Sequence, residues 1–337
     1  MSPHDLLGAV ILAALVLYAL LGGADFGGGI WDLLASGPRT RAQRDLVERA
    51  IGPIWEANHV WLILVVVLLF TGFPAAFARV SIALFTPLVL LLVGIVLRGA
   101  AFTFRTYDRP DDRVQRRWGV VFSGASILAP LMLGVVVGAL ATGRLAGGAT
   151  VDALAWLSPF PVATGLFAAV LFAYLAATYL AVEAEGVLRD DFRRRAIAAG
   201  AAVFLCALLV AALSSREAPL VFEGLTRRTF TLPLHVATGA AAIVAFGALF
   251  RDRVRLARTA AVFQVALIVI GWGASQYPYL VTPDLTLASA AGPRATLVAV
   301  LWALGAGALF LLPALYLLFR IFKGERPFAV VDRARPR

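Results

Sequence analysis

Long apolar stretches, separated by short polar segments, recur along the whole chain. Each is close to the length of about 20 residues that a helix needs to span the roughly 30 Å hydrocarbon core of a bilayer. An isolated strand would leave its backbone groups unpaired in lipid, so every stretch is predicted to be α-helical. The pattern therefore predicts nine transmembrane helices. They cover residues 6–33, 50–72, 78–104, 118–141, 160–182, 195–214, 230–250, 258–277 and 296–320.

The composition agrees with this pattern. Of the 337 residues, 61% are hydrophobic and 15% are charged. A soluble domain typically has about 45–50% apolar and about 25% charged residues. Because the loops between the apolar stretches are short, no part of the chain is long enough for a separate aqueous domain. The fold class predicted is an all-α integral membrane protein, with the whole chain forming one transmembrane domain.

A weak internal similarity relates the two halves of the chain. The first predicted helix ends in the segment Tyr18 to Asp32, and the fifth ends in the segment Tyr179 to Asp191. Arg-rich sequence follows in both cases. Repeats of this kind are common in membrane proteins. The similarity favours two four-helix units, residues 6–141 and 160–277, with an extra helix at 296–320.

The positive charges predict the orientation in the membrane. If the N-terminus lies outside, 23 of the 30 Lys and Arg residues fall on the inner side and 6 on the outer side, while Arg98 lies within a helix. Short loops rich in Lys and Arg stay on the cytoplasmic side. The distribution predicts an N-out, C-in topology. It also accounts for the net charge of +10, which gives no reason to expect binding to nucleic acid.

Residues that could hold a metal or a redox group are scarce. Cys206 is the single cysteine, so an internal disulfide is excluded and a Cys-ligated cluster is not expected. The three histidines are His4, His59 and His235, of which the first and last are predicted near the outer face. No common metal, nucleotide or hydrolase motif is present. We therefore predict that this chain alone holds no metal and no complete haem site.

Four ionisable residues fall inside predicted helices, where an unpaired charge costs several kcal/mol and usually marks function. They are Asp25, Glu56, His59 and Arg98. At about 1.5 Å per residue, all four lie in the cytoplasmic half of the membrane. Glu56 and His59 are three residues apart and share a helix face. We predict that Glu56, Asp25 and His59 transfer protons and that Arg98 is their charge partner.

Simpler interpretations of these residues stay open. Arg98 could form a static pair with Asp25 or Glu56, and Asp25 could be solvated at the inner boundary. His59 could be a hydrogen-bonded packing residue. Glu56 lies deeper and is harder to explain without a function.

Four segments resemble one known family, subunit II of cytochrome bd-type quinol oxidases, including its cyanide-insensitive branch. They are YALLGGADFGGGIW from Tyr18, IGPIWEANHVWLI followed by FTGFPAAFA from Ile51, QYPYLVTPDL from Gln276, and TYLAVEAEGVLR from Thr178. The last departs from the family pattern, with Ala184 in place of a Thr. The resemblance extends from residue 6 to about residue 325.

The resemblance implies a role in a terminal respiratory oxidase of the bacterial cytoplasmic (inner) membrane. Subunit I of the family carries haems b and d and the quinol site, and the complex reduces O₂ to water. Subunit II pairs with it and contributes to proton uptake. Some members hold a structural quinone in subunit II, and small accessory subunits occur. The family's acidic positions correspond to Asp25 and Glu56, and its basic position corresponds to Arg98. His59 stands where many members have Gln.

Two other functions are compatible with the same residues. A secondary transporter could use Glu56, Asp25 and Arg98 as an ion or substrate site, although such sites usually lie at broken helices near mid-membrane. Within the oxidase family, the chain could also be a scaffold with no part in proton transfer. Replacing Glu56 by Gln would separate these functions, because only proton transfer requires its carboxyl group.

Overall fold

A computed structural model describes residues 2–51, 55–107, 112–145 and 154–323. These residues form twelve α-helices, one short 3₁₀ helix (Ala155–Leu157) and one small β-hairpin. The helices are α1 (Pro3–Leu33), α2 (Thr40–Ile51), α3 (Trp55–Gly72), α4 (Pro74–Ala83), α5 (Phe85–Tyr107), α6 (Asp112–Ala141), α7 (Pro159–Glu183), α8 (Gly186–Glu217), α9 (Pro219–Thr226), α10 (Thr231–Phe250), α11 (Val254–Gln276) and α12 (Arg294–Lys323). The hairpin pairs β1 (Tyr279–Val281) with β2 (Leu285–Thr286) in antiparallel fashion.

The prediction of an all-α membrane protein is confirmed. Within the described residues, eight helices are long and apolar enough to cross a membrane. The number becomes nine if the bent pair Asn58–Gly72 and Pro74–Ala83 is counted as one span. Large apolar side chains cover the outward faces, such as Trp302 and Phe310 on α12, which are 77% and 78% exposed. These faces suit contact with lipid or with other apolar helices.

One predicted helix is wrong. The helix predicted over 78–104 is broken, because α4 ends at Ala83 and α5 begins at Phe85. The chain bends by 118° between α3 and α4, where Pro74 starts the new helix. Proline is favoured in a first helical turn but lacks the N–H that would continue the preceding helix. The segment Pro74–Ala83 is mostly apolar and too short to span a membrane, so hydropathy did not show it to be a separate helix.

Short elements also lie between the long helices at both ends of the bundle. The hairpin packs at the end that holds the start of α1, where Thr282 donates to the carbonyl of Leu140 and Gly292 donates to the carbonyl of Gly72. We call this the hairpin end. The amphipathic helix α2 lies at the opposite end, beside Arg39 and Arg195, which we call the Arg-rich end.

Helix α1 lies at the centre of the packing and contacts α3, α6, α7 and α11. Two glycines allow this close packing. A Cβ atom at Gly27 would overlap the carbonyl oxygen of Phe172 on α7, and one at Gly29 would overlap the hydroxyl of Ser126 on α6. Small residues let membrane helices approach in this way. They bring the polar side chains of α1 within reach of α5 and α6.

We expect Gly27→Ala to lower the melting temperature of the detergent-purified protein, because the new methyl group must push α1 away from the α7 backbone. Gly239→Ala on α10 is the matched control, since a Cβ atom there meets nothing within 4 Å. Alanine is favoured over glycine in a helix by about 1 kcal/mol, so the control should be unchanged or slightly stabilised. Equal melting temperatures for the two variants would contradict the close α1–α7 contact.

Candidate functional site

A buried ion pair joins α1 to α5. Nη2 of Arg98 lies 2.5 Å from Oδ1 of Asp25, and each side chain is 1% exposed. Removing two charges from water is costly, and the pair is tolerated only when the geometry is close and the remaining donors are satisfied. Asp25 is therefore a carboxylate partner of Arg98. The pair also fixes the rotation of α1 relative to α5.

The Arg98 guanidinium is held from several sides. Its Nε donates to Oγ of Ser126 at 3.0 Å, and Nη2 also donates to the backbone carbonyl of Asp25 at 3.2 Å. The rings of Phe26 and Phe122 lie on either side, each with its centroid 4.9 Å from the guanidinium carbon. Cation–π contacts strengthen when water is excluded. Arg98 is therefore a rigid part of the core.

The second oxygen of Asp25 belongs to a different environment. Among the described residues, Oδ2 of Asp25 is buried without a hydrogen-bond partner, as are the hydroxyl of Tyr18, Nδ1 of His59 and both amide atoms of Asn58. The Asn58 amide faces the Asp25 carboxyl, although the geometry falls short of a hydrogen bond. The His59 ring lies 5.8 Å from the Phe26 ring. We call Tyr18, Asp25, Asn58, His59 and Arg98 the Asp25 cluster.

Unpartnered polar atoms are rare in protein interiors, and each one calls for an explanation. Five such atoms lie together in the Asp25 cluster, on α1 and α3. Groups that both accept and donate hydrogen bonds, when joined by water, can pass protons along. The chemistry that this cluster supports is thus proton transfer around a carboxylate of fixed position.

The structure places three of the four predicted site residues together. Asp25, His59 and Arg98 all belong to the Asp25 cluster. Glu56 lies in the first turn of α3, one turn before His59, but its side chain lies outside the described part of the structure. The proton-transfer roles of these residues stay predictions.

A second buried carboxylate lies closer to the Arg-rich end. Asp32 is 2% exposed and accepts a hydrogen bond from Ser123 on α6 at 3.1 Å. Its backbone carbonyl accepts from Arg44 of α2 at 3.3 Å. Asp25 and Asp32 are seven positions apart, or about two helical turns, so both lie on one face of α1.

A polar contact that sequence patterns did not predict ties the α1–α2 connection to α8. Arg39 donates two hydrogen bonds to the Asp191 carboxylate, at 2.7 and 2.8 Å, which raise the pKa of Arg39. Gln43 donates to Asp191 and accepts from Arg195 at 2.7 Å. The Arg195 guanidinium also lies over the Trp31 ring. These residues hold α2 at the Arg-rich end, next to the start of α3.

Within the described ranges, no set of three or more His, Cys, Asp or Glu side chains is arranged to bind an ion. His59 lies beside Asp25, whereas His4 is in the first turns of α1 and His235 is in the first turns of α10. The three imidazoles thus lie on separate helices.

Loss of one partner of the Asp25–Arg98 pair should destabilise the protein more than replacement of both partners by apolar residues. We expect Arg98→Met to lower the melting temperature strongly, because loss of one partner of a buried pair costs about 3–5 kcal/mol. Adding Asp25→Leu should recover part of the loss, since an apolar pair replaces two buried charges. Thermal unfolding of both purified variants measures this. A double variant no more stable than Arg98→Met alone would show that the pair is not the source of the stability.

Comparison with known proteins gives a consistent result. The family model for cytochrome bd terminal oxidase subunit II matches residues 4–322. A Bacillus subtilis protein described as cytochrome bd ubiquinol oxidase subunit 2 is 28% identical over 239 residues, covering 70% of this chain and 69% of the relative. A second protein of that organism, provisionally described as a cytochrome bd menaquinol oxidase subunit II, is 22% identical over 339 residues and 95% of both chains.

The fold has a counterpart among solved structures. A chain of the bd oxidase from Geobacillus thermodenitrificans superimposes with a TM-score of 0.81, covering 97% of this chain and 100% of that one at 23% identity. At that identity the likeness concerns the fold alone. Because the family model spans nearly the whole chain, the protein belongs to the cytochrome bd terminal oxidase subunit II family and is a subunit of a quinol oxidase.

Proposed function

We propose that this chain pairs with a haem-carrying subunit I and carries protons from the cytoplasm toward the site of O₂ reduction. The observation that supports this most directly is the position of Asp25. One of its oxygens is bound to Arg98, and the other lies among polar atoms with no partner in the described structure. A purely structural ion pair has no need of such a neighbourhood.

The two oxygens of Asp25 suit different tasks. Oδ1 and the Arg98 guanidinium hold the carboxylate in place, so its position does not change as protons arrive and leave. Oδ2 is then the atom that accepts and releases a proton. A fixed acceptor keeps the distance to the next group short, and preorganisation of this kind is what proton transfer requires. Intramembrane carboxylates commonly form such relays in pumps and transporters.

Entry from the cytoplasm fits the layout of the Arg-rich end. Glu56 and His59 lie in the first turns of α3, directly after α2, and Asp25 lies on the adjacent α1. With the proposed N-out, C-in topology, the Arg-rich end faces the cytoplasm. Protons would then pass from Glu56 through Asn58 and His59 to Asp25.

The remaining chemistry belongs to the partner. Haems b and d of subunit I would supply electrons from quinol to O₂, and each O₂ needs four electrons and four protons to give two molecules of water. The residues of this chain would hold and move protons only. Its three histidines lie on separate helices, which does not suit a haem with two imidazole ligands. Uptake of protons from inside, with release of quinol protons outside, would make turnover electrogenic.

Family membership favours this function over a secondary transporter. The polar residues of the Asp25 cluster come from three neighbouring long helices, α1, α3 and α5. The bend after α3 lies at Gly72, away from the cluster, at the hairpin end. The chain is also proposed to lie in the bacterial inner membrane as a multi-pass subunit.

Glu56→Gln should lower the quinol-dependent O₂ consumption of the purified complex by about tenfold or more, corresponding to about 1.4 kcal/mol or more in the barrier. The amide keeps the shape of the side chain but cannot take up a proton. Haem absorbance measures assembly in the same sample and should be unchanged. Glu185→Gln, at an exposed position between α7 and α8, is the control and should be fully active. Full activity of Glu56→Gln would favour the scaffold.

Optical difference spectra test whether the haems belong to the partner subunit. Haem bands should be present in the purified complex and absent from this chain expressed alone. Haem bound by the isolated chain would refute the assignment of all haems to the partner and would make His59 a ligand candidate. A purified complex without haem would refute the oxidase function for this chain.

A further inference from the structure

We propose that Tyr18 is a proton-relay residue, which carries protons from Asp25 toward the hairpin end of α1. This inference rests on the proposed function and extends it by one residue. In the sequence, Tyr18 was only the first residue of the segment YALLGGADFGGGIW, with no role assigned to its hydroxyl. Its position, burial and lack of a partner point to a role in proton transfer.

Tyr18 lies two helical turns before Asp25 on α1. The two residues are seven positions apart, so their Cα atoms are separated by about 10 Å along the helix axis and lie on the same face. One edge of the Tyr18 ring lies against Gly22, where a Cβ atom would be 3.2 Å from Cε2 of the ring. Glycine at position 22 leaves room for it.

The ring is surrounded by the other members of the Asp25 cluster. Its centroid lies 6.2 Å from that of His59 and 6.5 Å from that of Phe26. It is close enough to Asp25 and Arg98 to interact electrostatically with both. Because Tyr18 precedes Asp25 on α1, it lies nearer the hairpin end than Asp25 does.

The hydroxyl of Tyr18 has no structural task that the described residues reveal. The side chain is 1% exposed, and its oxygen is buried without a hydrogen-bond partner among them. A buried polar group without a partner destabilises a fold. Stability alone would thus favour phenylalanine at this position. Tyr174 differs, because its buried hydroxyl donates to Oε1 of Gln264 at 3.2 Å and so has a structural role.

The relay step leaves the tyrosine unchanged. A protonated water on the Asp25 side would give a proton to the phenol oxygen. The original O–H proton would pass at the same time to a water molecule on the hairpin side. One O–H bond forms as another breaks, and no electron is transferred. Rotation about the C–O bond returns the hydroxyl to its starting orientation for the next proton.

The test compares Tyr18→Phe, Tyr174→Phe and Asp25→Asn in the complete purified oxidase. Turnover is measured as quinol-dependent O₂ consumption, assembly as haem absorbance and stability as the melting temperature. We expect Tyr18→Phe to lower turnover by about tenfold or more, with haem content unchanged and melting temperature unchanged or raised. Tyr174→Phe should show the opposite pattern, with near-normal turnover and a lower melting temperature.

A single-turnover measurement separates proton transfer from electron transfer. In Tyr18→Phe, reduction of the haems by quinol should keep its normal rate, while proton uptake during the reaction with O₂ should be slowed. A residue with a merely structural role would not produce this difference. If Tyr18→Phe loses haem or stability together with turnover, the hydroxyl is structural and the relay is overturned.

The Asp25→Asn variant distinguishes the Tyr18 relay from the proposed proton uptake through this chain. If Asp25→Asn loses turnover and Tyr18→Phe does not, the Asp25 cluster carries protons but the path avoids Tyr18, which overturns this inference alone. If both variants turn over normally, the proposed proton uptake through this chain fails as well. Loss of turnover in both, with haem content retained in both and the melting temperature retained in Tyr18→Phe, supports the relay. Asp25→Asn should melt at a lower temperature, because it leaves Arg98 without its partner.

Discussion

The buried pair of Arg98 and Asp25 is the interaction on which the rest of this structure depends. Two charges lie inside a bundle whose outer surface faces lipid, and each side chain is 1% exposed. In such surroundings an unpaired charge costs several kcal/mol, so the two must meet in close geometry. That requirement fixes how α1, α5 and α6 pack, because Ser126 and Phe122 of α6 complete the environment of the guanidinium. The glycines of α1 let its neighbouring helices approach closely.

The same pair divides the polar interior into a rigid part and a reactive part. On the Arg98 side, hydrogen-bond acceptors and aromatic rings surround the guanidinium. On the other side, buried polar atoms on α1 and α3 lack partners in the described residues. A fold selected only for stability would not keep these atoms, since each destabilises it. Their concentration around one carboxylate oxygen is the physical reason for proposing proton transfer there.

This arrangement suits a subunit that handles protons while its partner handles electrons. The chain provides fixed carboxylates near its Arg-rich end, at Asp25 and Asp32, and the contacts of Arg39 and Arg195 hold α2 beside them. A haem needs ligands at one depth, whereas the histidines lie on three different helices. In the proposed function, this separation would keep the charged residues of the proton path away from the redox groups of the partner.

The number, length and polarity of the membrane helices could be predicted from the sequence, because hydropathy is a local property that needs no knowledge of neighbours. The positions of Asp25, Glu56, His59 and Arg98 on three predicted helices followed for the same reason. Local hydropathy did not reveal α4 as a separate helix that bends away after Gly72, or the contact of Arg39 with Asp191, 152 positions away. Only the tertiary structure paired Arg98 with Asp25 and left Oδ2 of Asp25 and the Tyr18 hydroxyl unpartnered among the described residues. Those outcomes depend on how each helix is rotated and how closely it is packed, and these are set by contacts between residues far apart in the chain.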